Sequence, residues 1–308
     1  MIYDHGLKTL DDKLAGVGCM VLGIASLSFM DALGKRVAAH YSVFQMLAIR
    51  STVALTLILL FLGATRQLAA LRTRQPEGHA LRALCGLIAF ATFYSSLRHL
   101  SLADAVAIAF ASPFLITALG RFVLKEHVTS RQWVAIAVGF AGMLVIVRPG
   151  ASGFHPAALL VVVCSIAYAI LMVLTRWMSR PHRPAETNSA FVFYMLAGQA
   201  AVGWLVTVSR WQTPEAAHLA EMAGMGVLGI IGNYGLAQAF RLAPVATVAP
   251  FEYTGLIWAV VLGAVFFGDV PTPSFWVGAA IIVWAGLTAV RPPIGPSCGS
   301  SARASAPS

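Results

Sequence analysis

Charge is what this sequence has least of. Only 11% of its 308 residues are Asp, Glu, Lys or Arg, whereas a soluble domain carries about 25%. A chain so short of charge has no water-facing surface to cover, which argues against a soluble enzyme or binding module. Period-2 alternation is also missing, and with it the signature of a membrane β-barrel. Cysteine is scarce. Cys19, Cys85 and Cys164 lie in apolar runs and Cys298 in the tail, without CxxC or metal-ligand spacing. They read as small hydrophobes, and no metal site is expected. HExxH, GxSxG and P-loop motifs are absent, so no hydrolase or ATP-driven mechanism is visible and no cofactor is expected. The first residues carry Asp4, Lys8, Asp11, Asp12 and Lys13, a polar tail rather than the basic start of a cleaved signal peptide.

What is present is hydrophobic: 58% of residues, with a mean hydropathy of +0.79. Runs of about 17–25 apolar residues, each long enough to cross the hydrocarbon core as a helix, recur along the whole length. In lipid, a helix satisfies its own backbone groups. Candidate spans fall at 15–34, 43–63, 81–98, 103–123, 132–148, 156–177, 188–209, 221–240, 244–267 and 274–291. The fold class expected is an all-α integral membrane protein of ten transmembrane helices. The net charge of +9 does not point to nucleic acid, because the basic residues sit between apolar runs. With the N-terminus inside, fifteen of the 21 Lys and Arg fall on the inner side, leaving Lys35, Arg36, Arg50, Arg98, Arg148 and Arg210 outside. That asymmetry places both termini in the cytoplasm of an inner-membrane protein.

The chain also repeats itself. Shifted by 143 residues, Arg98 to Pro149 lies over Arg241 to Pro292 without a gap. Leu119-Gly120 falls on Leu262-Gly263, Glu126 on Asp269, Trp133 on Trp276 and Val147-Arg148-Pro149 on Val290-Arg291-Pro292. A weaker match at an offset of 140 lays Arg36 over Arg176 and Ser28 over Tyr168. A match at fixed offset marks an internal repeat. Five spans per half is an odd number, so the halves enter the membrane from opposite sides as inverted repeats, an arrangement found in secondary transporters. The expected division is a cytoplasmic tail at 1–14, a first repeat at 15–149, a second at 150–292 and a disordered tail at 293–308.

Two halves of five spans, each with an acid-bearing turn, resemble the EamA family of the drug/metabolite transporter superfamily. The first-half segment YSSLRHLSLADAVAIAFASPFLITALGRFVLKEHVTSRQWVAIAVGFAGMLVIVRPG is similar to that family's repeat, as is APFEYTGLIWAVVLGAVFFGD in the second half. The opening FMDALGKRVAAHYSVFQMLAIR resembles the branch that includes riboflavin and S-adenosylmethionine carriers. The resemblance implies transport, with a site lined by the first four spans of each half and the fifth spans serving scaffold or homodimer contacts.

Among individual residues Glu252 is the sharpest. A carboxylate in mid-helix costs about 2.5–3.5 kcal/mol on insertion scales and usually faces a bundle interior or aqueous cavity. Pro250 and Gly255 beside it loosen the helix, and Tyr253 adds an aromatic wall. Glu252 is either a coupling or binding acid or a structural one. Asp31 and Lys35, four apart, share a face with Ser28, and Arg50 lies about two turns into the second span. They form an interfacial salt-bridge cluster, an outer gate or a carboxylate site. Polar stripes at helical spacing place Tyr168 on the sixth span and Asn233, Tyr234 and Gln238 on the eighth, with Tyr94 in the matching region of the third. Such stripes line a cavity or a helix contact. His99 and Asp104 form an H-x4-D found in some membrane acyltransferases, but the second fragment of that pattern, Pro76-Glu77-Gly78, stands on the wrong side of it. The reading is not an enzyme but a carrier of a small organic molecule by alternating access, with the lipid bilayer as its other partner. It leans to efflux of an amphiphilic or zwitterionic metabolite. The alternative is uptake of riboflavin, S-adenosylmethionine or a similar nutrient.

Overall fold

The computed structural model describes residues 10–149 and 155–290. The tail at 293–308, residues 1–9 and Cys298 lie outside them. Every described element is helical, and the helices form ten spans. The first half contains α1 (Leu10–Ala38), α2 (Val43–Ala64), α3 (Pro76–Ser96), a fourth span split into α4 (Leu102–Ala109) and α5 (Ser112–Val123), and α6 (Ser130–Val147). The second contains α7 (Ala157–Met178), α8 (Asn188–Thr207), α9 (Ala216–Leu242), a ninth span made of α10 (Val245–Val248), a 3-10 turn (Ala249–Tyr253) and α11 (Thr254–Phe267), and α12 (Pro273–Val290). Eight of the spans are long and apolar enough to cross a membrane by length and composition. The other two are α3, whose first turns carry Glu77, His79 and Arg82, and the shorter apolar α12.

The termini of these helices are chemically marked. Ser42, Ser101, Thr129 and Thr187 each accept a hydrogen bond from the backbone N–H three residues on, satisfying donors that the helix leaves unpaired. Thr129 and Gln132 complete a reciprocal capping box. Pro76 opens α3, where a missing N–H costs nothing. The first span is longer than the apolar run suggests, because Leu10–Leu14 continue the helix at one end and Lys35–Ala38 at the other.

The packing has approximate twofold symmetry between the halves. The most extensive contact is between α1 and α9, and its counterpart is α7 against α3. Span two packs on span seven, and span five on span ten. The last two pairs join elements that the repeat makes equivalent, and the first two are exchanged by it. Glycine allows the closest approaches: a side chain at Gly142 on α6 would press on the Gly278 carbonyl of α12 at 3.0 Å. Leu22, Leu60, Phe122, Leu205 and Val265 are 64–78% exposed on the outside of the bundle. An apolar belt of this kind faces lipid rather than water.

Candidate functional site

The break in the ninth span sets the site. Pro250 has no N–H to give the preceding turn, and the backbone tightens into the 3-10 turn before α11 begins. Its repeat partner, the fourth span, also breaks, at Phe110-Ala111 between α4 and α5. An offset of 143 lays Phe110 over Tyr253. The two rings stack on each other with centroids 5.3 Å apart and planes tilted 23°. Equivalent breaks from the two halves therefore meet ring to ring.

Glu252 sits in the 3-10 turn, partly buried. No described residue hydrogen-bonds to its carboxylate or pairs with it. Tyr168 on α7 lies within its electrostatic reach. The Tyr168 ring is 43% exposed. Tyr253 is not a free aromatic wall. Its ring is taken by Phe110, and its hydroxyl abuts Gly286 on α12, where a Cβ would overlap it.

Asp31, Lys35 and Arg50 do not form one cluster. Lys35 Nζ reaches Asp269 at 2.6 Å and lies 4.5 Å over the Phe267 ring. Asp31, one turn deeper on α1, accepts a 2.8 Å hydrogen bond from the Tyr94 hydroxyl on α3. The guanidinium of Arg50 lies 4.6 Å over Phe90. The i,i+4 spacing of Asp31 and Lys35 gave them a common face, but partners on other helices outcompete that local pair. Asn233, Tyr234 and Gln238 do not converge on this region either. Asn233 donates to the Gly229 carbonyl of its own helix, and Gln238 donates to the hydroxyl of Tyr234, which is 64% exposed. These polar groups satisfy one another within α9. His99 stacks on His155, and Asp104 accepts from the Ser101 hydroxyl at the start of α4.

The acid-bearing turns make contacts across the halves that residue-by-residue reading missed. Asp269, after α11, pairs with Lys35 of α1. Glu126, after α5, pairs with Arg176 of α7 at 3.4 Å. Each pair joins the end of one half's broken span to the first span of the other half, and the two pairs lie at opposite ends of the bundle. The repeat contained this signal, since it lays Glu126 over Asp269 and Arg36 over Arg176. A concavity of about 500 Å³ lies beside Lys35, lined by Arg36, His40, Arg98 and His218. Another of about 700 Å³ opens at the opposite end among Gln75, Gly78, Val123, Leu174 and Trp177. Neither contains Glu252, Asp31 or Arg50, which lie between them.

A loop network also crosses the halves. Glu186 accepts from the Thr73 hydroxyl and the Arg74 N–H, both at 2.9 Å, and its other oxygen lies 3.3 Å from His79 Nε2. Burial pushes this carboxyl up, but those hydrogen bonds outweigh it and hold Glu186 below its ordinary range.

Comparison with known proteins places this geometry. The model of the EamA-like transporter family matches residues 14–148 and again 155–290. A riboflavin transporter of Rhizobium johnstonii is 31% identical over 73% of this chain and 73% of its own length. An S-adenosylmethionine uptake transporter of Rickettsia conorii is 26% identical over 91% of this chain and 92% of its own. A solved crystal structure superposes with a TM-score of 0.62 at 20% identity, covering 88% of this chain and 96% of that one, which shows a shared fold.

Proposed function

We propose that this chain, which belongs to the EamA-like transporter family, imports a small organic nutrient of the riboflavin or S-adenosylmethionine kind by alternating access. The named relatives are a riboflavin transporter and an uptake transporter, and they favour uptake over the efflux reading that the sequence suggested. The observation that carries the mechanism is the pair of cross-half ion pairs at opposite ends, with Glu252, Asp31 and Arg50 between them. In such a carrier one end is closed while the other opens. Lys35–Asp269 is short, and its side chains are 12% and 25% exposed; Arg176–Glu126 is longer, with side chains 54% and 45% exposed. The Lys35 end is the more tightly closed in this conformation.

With the N-terminus inside, the Lys35 end faces the periplasm and the Arg176 end the cytoplasm. Glu252 then sits on the cytoplasmic side of the broken ninth span and meets the substrate after it passes Asp31 and Arg50. Its carboxylate suits a cationic or hydrogen-bonding part of the molecule.

The test uses two host strains, one unable to make riboflavin and one that depends on external S-adenosylmethionine and lacks a carrier for it. Expression of the chain should let one of them grow on the external nutrient. Purified protein in liposomes should accumulate that labelled compound with saturation. Growth of neither strain, together with no labelled uptake in liposomes, would overturn the uptake reading.

A further inference from the structure

Arg50 is the least explained charge in the bundle. It lies seven residues into α2, about 10 Å below the helix end at about 1.5 Å per residue. Among the described residues no carbonyl, hydroxyl or carboxylate accepts from its guanidinium, and its Nε is inaccessible and without a partner. Its one direct contact that an ion would favour is the Phe90 ring. An arginine held in this way keeps a fork of donors free on the side away from the ring.

Asp31 lies within electrostatic reach of Arg50 but forms no ion pair with it. It is seven residues from the same end of α1, and so at similar depth. Tyr94 takes one of its oxygens, Oδ1, and no described residue hydrogen-bonds to the other. Tyr94 in turn is fixed: it is 2% exposed and wedged against Gly34, where a Cβ would overlap its ring. Cys164 of α7 lies within electrostatic reach of Asp31, and a Cβ at Gly229 of α9 would stand 3.7 Å from Arg50 Nη2. The walls thus come from both halves, and the α9 wall has no side chain.

A buried cation and a buried anion that stay apart are costly unless each meets an opposite charge. A buried ion pair built for stability would close directly. Here Tyr94 binds Asp31 and Arg50 lies over Phe90, and among the described residues the remaining hydrogen-bonding groups of both have no partner. We infer that Asp31 and Arg50 form a zwitterion clamp, in which Arg50 binds the carboxylate and Asp31 the ammonium of an α-amino-acid head group. The proposal rests on the uptake reading for its context, but it commits to one substrate class within it. A riboflavin-like molecule, which has no such head group, would leave both charges unmatched.

The test measures binding to the full chain in lipid nanodiscs. The probes are S-adenosylmethionine, its decarboxylated amine and riboflavin. Loss of a charge-assisted carboxylate contact weakens binding by about tenfold or more, so the intact zwitterion should bind at least about tenfold tighter than the amine. Arg50→Gln should erase that ratio, whereas a merely structural role would leave it unchanged. The wild-type ratio decides the matter even if the variant fails to fold. Equal affinity for the two compounds, or no saturable binding of the zwitterion, overturns the clamp. If riboflavin alone binds and is taken up, the clamp falls and the uptake reading stands. If the zwitterion binds with the expected ratio but nothing is transported, the clamp stands and the uptake reading falls.

Discussion

At the scale of single residues, placement in the bundle separates carboxylates that sequence makes look alike. Among the described residues Glu252 has no partner in the break of the ninth span, so its charge is available to a substrate. Glu252→Gln should keep the fold and the expression level while lowering uptake in liposomes by about tenfold or more, the size of a lost charge-assisted contact. Glu252→Asp should retain part of the rate. Wild-type uptake by Glu252→Gln would reduce the residue to a packing role. Glu186 is the opposite case, fully engaged by the Thr73 hydroxyl, the Arg74 N–H and His79. Its folded-state carboxyl is held below the ordinary value of 4.5. A depressed carboxyl stabilises the fold above its unfolded value, and that contribution is lost as pH falls through the folded value. Glu186→Gln should therefore melt below wild type at pH 7, and the gap in Tm should close as the pH falls below 4.5. A gap independent of pH would mean that the carboxylate charge contributes nothing.

At the scale of elements, the two broken spans act as one unit. Phe110 and Tyr253 stack where α4 gives way to α5 and where the 3-10 turn gives way to α11. Gly286 makes room for the Tyr253 hydroxyl. Gly286→Ala should push Tyr253 off Phe110 and destabilise the protein by about 1–3 kcal/mol, as overpacking commonly does. The double change Gly286→Ala with Tyr253→Phe removes the colliding oxygen and should recover part of the loss in Tm. An unchanged Tm for Gly286→Ala would show that the ring has room elsewhere.

At the scale of the whole molecule, inverted halves put one cross-half ion pair at each end, and on the alternating-access proposal each acts as a latch. Lys35→Cys with Asp269→Cys, in a background without the native cysteines, should be joined by a short bis-methanethiosulfonate cross-linker that spans the gap the two side chains filled and holds that end shut. Arg176→Cys with Glu126→Cys should do the same at the other end. Either bridge should stop uptake, and reduction should restore it, because alternating access needs each end to open in turn. Full uptake with a verified bridge at either end would refute a latch there. Orientation is tested by a single cysteine at the exposed position 72. A membrane-impermeant maleimide should leave Arg72→Cys unlabelled in intact cells and label it after lysis.

Much of this protein was determined by its sequence alone. The shortage of charge and the length of the apolar runs fix a helical membrane bundle, since only internally satisfied backbone survives in lipid. The fixed-offset repeat fixes inverted halves, and Pro250-Phe251-Glu252 marks a break with an acid in it. Tertiary structure decided which faces meet. Helical spacing orders side chains around one axis only, so it grouped Asp31 with Lys35 and aligned Tyr234 with Gln238 correctly along their helices. It could not choose partners. Lys35 finds Asp269 at a separation of 234 residues, while Asp31 turns to Tyr94 on α3 and leaves Arg50 over Phe90. Those choices follow from the crossing of helices, where a short contact to a neighbouring span outweighs a pair one turn along the same helix.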